Sequence, residues 1–127
     1  MDSVVLDSSA ALAVLKREPG ADVVKAHVPG ASMSAVNVAE VVGKLSASGM
    51  TGVEVHAAIA TLGVEVVSFD EELAFATGML GPLTMDSGLS LGDRACLALG
   101  RHLALPVLTG DRTWAELDVG VEVQLIR

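Results

Sequence analysis

Cysteine is almost missing from this sequence: Cys96 is the only one. A lone thiol forms no internal disulfide, and metal centres built from several thiolates are excluded. Aromatic residues are nearly as scarce, with only Phe69, Phe75 and Trp114 and no tyrosine. Their scarcity removes the stacked-base platforms used by sheet-surface RNA readers. Basic residues are few: eight Lys and Arg against sixteen Asp and Glu give a formal net charge of −8. That balance argues against a surface that coats DNA or lies on anionic lipid. If the chain meets nucleic acid, metal ions must carry much of the contact. No apolar run approaches the roughly 20 residues of a membrane span, and AALAVL at 10–15 falls far short. The sequence opens directly into VVLD after three residues, with no basic leader, so a cytoplasmic location and no membrane partner are expected.

What remains has a globular composition, 51% apolar and 19% charged over 127 residues. That is enough for one domain, expected to span 1–127, burying roughly two-thirds of its unfolded surface. The run VVL at 4–6 reads as a strand covered on both faces; 31–34 is a weaker strand, VEVVSF at 64–69 a clear one. PVLT at 106–109 and the alternating segment 121–126 complete the set. Between them lie helical patterns. Residues 10–16 follow Ser8 or Ser9 as cap, and 21–27 form a short second helix. Val38, Val41, Val42 and Leu45 make a stripe that ends near Ser48-Gly49, and Thr51 with Glu54 opens another helix in capping-box spacing. Asp70, Glu71 and Glu72 suit a helix N-terminus, where the macrodipole favours acids. Gly, Pro, Ser and Asp scattered over 78–88 predict an irregular connection, and 113–117 a short helical turn. Strands separated by helices predict an α/β fold of three layers, a central parallel sheet flanked by helices in the Rossmann-like manner.

The stretch LSLGDRACLALGRHLALPVLTGD holds the chemistry. Leu89, Cys96, Gly100 and Leu103 define one helical stripe, and Asp93 falls on it while Arg94 and Arg101 point away. A carboxylate facing a core is costly unless paired, and no local partner is evident in the pattern. The strand after Pro106 delivers Asp111 at its carboxyl end, and the first strand delivers Asp7 at its own. In open α/β sheets ligands sit at that edge. Glu40 lies opposite the Val38/Val41/Val42/Leu45 stripe, beside Asn37 and Lys44. Three of the four acids also have a purely structural alternative: a helix cap for Asp7, a turn for Asp111, an i,i+4 pair with Lys44 for Glu40. Several hard oxygens without nearby His or Cys suit Mg²⁺ or Mn²⁺ rather than zinc. His27, His56 and His102 have no ligand spacing, and Cys96 reads as a small core residue.

These motifs together resemble the PIN-domain ribonucleases, in particular VapC-type toxins of bacterial type II toxin–antitoxin modules. The residues that carry the resemblance are 4–13, SAVNVAEVV at 34–42, and 89–112. It implies a metal-dependent endoribonuclease in which Asp7, Glu40, Asp93 and Asp111 surround Mg²⁺ or Mn²⁺, with Ser9 and Thr109 holding carboxylates or waters. It also implies an RNA substrate cut to 3′-hydroxyl and 5′-phosphate ends and a cognate antitoxin; a homodimer is expected. Some members carry a further acid after the fourth; Thr113 and Trp114 stand in that region here, which leaves Glu116 or Asp118 as open substitutes. Arg94, Arg112 and Lys44 are candidates for substrate phosphates. Two rivals are a catalytically weak PIN-like module that binds RNA or protein, and a receiver-like phosphoryl-transfer domain using Asp7. An antitoxin tail is expected to cover apolar residues of 10–15 and 38–45 and to send an Arg or Lys among the four acids.

Overall fold

The computed structural model describes residues 3–127; the first two residues of the expected domain lie outside the described residues. Five strands form one sheet: β1 (Val5–Leu6), β2 (Ser32–Ser34), β3 (Glu65–Val67), β4 (Val107–Thr109) and β5 (Val123–Leu125). Their spatial order is β3-β2-β1-β4-β5, and every neighbouring pair is parallel. β1 is central: Val5 pairs with Ser32 on one side and Val107 on the other, and Leu6 with Leu108. Because all strands run the same way, Asp7, Ser34 and the Thr109–Asp111 segment reach one edge together. The order of the chain through the sheet reverses beside β1, which makes the crevice there the natural ligand position.

Period-two alternation divides β1 between two cores. Val4 and Leu6 join a cluster with α1 (Ser8–Lys16), α2 (Ala21–Lys25), α3 (Ala35–Ala47) and α4 (Gly52–Leu62), whose buried members include Leu12, Val24, Val41 and Leu62. Val5 faces the other way, toward α5 (Glu71–Met79) and α7 (Leu91–Leu103), with Leu73, Cys96, Leu97, Leu99 and Trp114. The result is the expected three-layer fold. Gly100 lets α7 approach the sheet closely, since a Cβ there would stand 2.5 Å from the Val107 side chain and 2.9 Å from that of Val121.

Several local expectations change. Asp7, rather than Ser8 or Ser9, caps α1 by accepting from the Ala10 amide at 2.8 Å. The weakly patterned β2 is fully buried, whereas β3, the clearer strand in sequence, lies at the sheet edge with Val66 48% exposed. Hydroxyls survive in β2 because Ser34 works at its end, capping α3 through the Val36 amide. The segment expected to be irregular after Gly78 is largely helical: α6 (Gly81–Thr84), then a 3₁₀ turn (Met85–Ser87). Pro82 is tolerated in α6 because it sits in the first turn, where its missing N–H is not needed. The expected helical turn near 113–117 is a 3₁₀ helix, Arg112–Glu116. The expected α7 stripe holds only in part: Leu89 precedes the helix and Leu103 is exposed, whereas Ala95 to Gly100 are all buried, because α7 is covered by the sheet, α3 and α5 together.

Candidate active site

Asp7 is 5% exposed and sits at the centre of a hydroxyl cage. Oδ1 accepts from the Ala10 amide at 2.8 Å and from Ser9 Oγ at 2.7 Å, while Oδ2 accepts from Thr109 Oγ1 at 2.6 Å. Both hydroxyls are themselves fixed by the loop after β4: Gly110 N donates to Ser9 Oγ at 2.8 Å and Asp111 N donates to Thr109 Oγ1 at 3.0 Å. Burial raises the Asp7 pKa above its ordinary value of 3.8; the hydrogen bonds from Thr109, Ser9 and Ala10 pull it down, and the nearby Asp93 charge pushes it up again. The capping alternative for Asp7 is therefore realised, and the same geometry holds its carboxylate at the sheet edge.

Glu40 does not reach down α3 toward Lys44. Its Oε1 accepts from Ser8 Oγ and from Asn37 Nδ2, the latter at 3.0 Å. Asn37, 1% exposed, also donates to the Gly92 carbonyl at 3.0 Å, which ties α3 to the first turn of α7. A Cβ on Gly92 would overlap the Glu40 carboxylate, so the missing side chain is what lets Glu40 lie against that turn. The stripe expected on α3 divides accordingly. Val41 and Leu45 enter the core, while Val38 and Val42 line a groove against α4.

Asp93, for which the sequence pattern shows no local partner, has one in Ser90. Ser90 caps α7, its Oγ accepting from Asp93 N at 3.1 Å, while Asp93 Oδ2 accepts from Ser90 N at 3.0 Å. The S-x-x-D spacing is a capping box, readable in the sequence, and it brings the acid to half-buried ground at the head of α7. Asp111 caps the 3₁₀ turn, accepting from Thr113 N at 3.0 Å and Thr113 Oγ1 at 2.7 Å, both through Oδ1. Glu116 and Asp118 are exposed, as is Arg112, whose Nε donates to the Arg127 carbonyl at 3.4 Å. Arg94 donates to the Ser90 carbonyl at 3.4 Å, and Lys44 is exposed.

Asp7, Glu40 and Asp93 come from three different elements, yet all three charges act on the buried Cys96 thiol, whose pKa is pushed well above its ordinary 9.0, first by burial and then by them. Asp111 joins through its backbone, one hydroxyl away from Asp7. Among the described residues no three acids, histidines or cysteines form a closed metal-ligand group. The donor set still fits a hard cation. No hydrogen bond among the described residues reaches Glu40 Oε2, Asp93 Oδ1 or Asp111 Oδ2. Sequence reasoning missed Ser8, Gly92 and the buried role of Asn37; the last was signalled by a polar residue three before Glu40 inside an apolar run.

The chain belongs to the PIN domain family, whose model matches residues 4–120. Its fold is similar to that of DNA-bound VapBC from Salmonella typhimurium, with a TM-score of 0.80, 16% identity and 100% of both chains covered. VapBC-5 from Mycobacterium tuberculosis, a member of the VapBC family of toxin-antitoxin systems, matches with a TM-score of 0.64 and 26% identity, covering 100% of this chain and 99% of that one. VapC20 of Mycobacterium tuberculosis, described as a sarcin-ricin loop cleaving toxin, matches with a TM-score of 0.72 and 19% identity over 94% of this chain and 98% of that one. No curated protein sequence matches the chain significantly. Among the described residues no helix is long and apolar enough to cross a membrane.

Proposed function

We propose that this chain is a divalent-metal-dependent endoribonuclease, the toxin of a toxin–antitoxin pair acting in the cytoplasm. The observation that supports the reading is geometric: the Glu40 carboxylate lies against Gly92, the residue before Asp93, and Thr109 Oγ1 links the Asp7 carboxylate to the Asp111 amide. Asp7, Asp93 and Asp111 would hold Mg²⁺ or Mn²⁺ directly or through water, and Glu40 would complete the cluster or orient the attacking water. When bound, the cation supplies charge neutralisation and an activated water for in-line attack on a phosphodiester. The chain's own part is positioning. Ser9 and Thr109 hold the Asp7 carboxylate between two hydroxyls and so keep its orientation while protons and substrate move around it. Arg94, Arg112 and Lys44 are the cations nearest these segments in sequence and are assigned to RNA phosphates. The products would carry 3′-hydroxyl and 5′-phosphate ends.

A receiver-like role for Asp7 is disfavoured because Ser9, not a second Asp, stands two residues after it. A catalytically weak binding module is the remaining alternative. The test is RNA cleavage by purified protein with Mg²⁺ or Mn²⁺: Asp93→Asn and Asp111→Asn should each lose at least about a hundredfold in rate while remaining folded, the scale of a metal-ligand or electrostatic contribution. Full activity in a clean Asp93→Asn preparation would sink the reading.

Of the two segments expected to meet an antitoxin, 10–15 and 38–45, the second offers the open surface. Ala10, Ala11, Leu12 and Ala13 are buried core, so they offer a partner nothing. The groove of about 290 Å³ between α3 and α4, lined by Val38, Val42, Met50, Val55 and Ile59, is open and apolar. We place an apolar antitoxin segment there, with an Arg or Lys extending to the acids, where a guanidinium bridges two carboxylates well. A homodimer contact is assigned to the α5–α6 face, where Phe75, Met79, Leu83 and Met85 are 72%, 59%, 59% and 78% exposed.

A further inference from the structure

Asn37 is a buried amide whose donor side is fully occupied and whose acceptor side is not. Nδ2 reaches Glu40 Oε1 and the Gly92 carbonyl, each at 3.0 Å, while among the described residues Oδ1 has no hydrogen-bond partner. The orientation is forced. Turning the amide over would set its oxygen against both a carbonyl and a carboxylate, and two acceptors repel where each had a donor. A buried acceptor without a partner is unfavourable, and proteins rarely keep one without compensation. Here the compensation is local: the same amide holds Glu40 by the Oε1 oxygen, and Gly92 leaves the space that the carboxylate occupies. Ser8 Oγ donates to that same oxygen from α1. Three elements thus agree on one orientation of one acid, and Oε2 is the oxygen they leave without a bond.

We propose that Asn37 is a positioning residue that locks the Glu40 carboxylate against the first turn of α7, so that Oε2 lies at Gly92, beside Asp93, already oriented for a cation. This rests on the metal-dependent reading of the same site, and it adds a residue outside the four acids. Asn37 acts through Glu40 and touches no reacting atom.

The experiment uses the whole chain and Mn²⁺ alone, titrated by calorimetry without RNA. Asn37→Ala should weaken Mn²⁺ binding about 10–100-fold, the usual cost of losing a group that orients a ligand. Glu40→Gln should weaken it comparably, and the double variant should bind no worse than Glu40→Gln, because a residue acting through Glu40 has nothing left to position. Losses that multiply in the double variant, or Asn37→Ala binding like the parent, would overturn the proposal. A second measurement needs neither metal nor a folded Asn37→Ala protein. The Asn37 side-chain amide signals by NMR should differ between the parent and Glu40→Gln; identical signals also overturn it. Failure of the parent to bind Mn²⁺ would instead defeat the metal reading, while the amide signals still decide whether Asn37 holds Glu40.

Discussion

Asp7 carries a charge into a place that excludes water, and its burial makes that charge costly. Its pKa is raised, so the folded protein holds the Asp7 proton to higher pH than the unfolded chain does. Linkage then fixes the sign: stability from this group is highest below the ordinary value of 3.8 and falls as pH rises from there through the raised folded value. Asp7→Asn removes that slope. In EDTA at neutral pH its melting temperature should equal or exceed the parent's, and the difference should shrink on acidification; a variant less stable than the parent at every pH would contradict this. Cys96 offers a second check at this scale. Its thiol is fully buried and held protonated by desolvation and by the acids above it. A disulfide reagent should therefore leave it unmodified in the native protein and react with one thiol per chain in denaturant.

At the scale of elements, α7 carries two glycines whose absent side chains do different things. At Gly92 a Cβ meets the far end of Glu40, a flexible side chain that can swing aside. Gly92→Ala should leave the fold nearly intact, since Ala favours a helix, yet weaken Mn²⁺ binding and cleavage by about tenfold or more. At Gly100 the Cβ meets Val107 of β4, Val121 and the Leu105 carbonyl, which are packed and cannot swing aside. Gly100→Ala should cost about 1–3 kcal/mol in denaturant unfolding without moving the metal affinity of the folded state. The parallel α/β layering was legible in the sequence, because short buried runs alternate with helical stripes. Asp7 and Asp111 were legible as strand-end acids for the same reason. Less was legible where one residue serves two elements. The capping box of Ser90 and Asp93 is local and was overlooked, whereas the Glu40 contacts with Ser8 and Gly92 join residues 32 and about 50 positions apart and have no local signature. The strand at 31–34 was legible but weakly marked, because Ser34 at its end serves as the cap of α3.

For the whole molecule, a cation that binds only the folded chain stabilises it by mass action. At a hundred times its dissociation constant Mg²⁺ should add about 2.7 kcal/mol, raising the melting temperature by roughly 10 °C. A cationic antitoxin tail inserted among the acids should compete with that effect, so its apparent affinity should fall as Mg²⁺ rises; inhibition independent of Mg²⁺ would exclude insertion. The central place of β1 has a consequence in time. Val5 pairs with Val107, and Asp7 receives its Thr109 bond from 102 residues further on. On a ribosome, Asp7 leaves the exit tunnel long before Thr109 and Asp111 exist. The growing chain therefore passes through nearly its whole synthesis without an assembled acid site, and the interval before the last strands pair is slow as well, because such distant contacts must close a long loop. A nascent chain halted before residue 107 should not bind Mn²⁺.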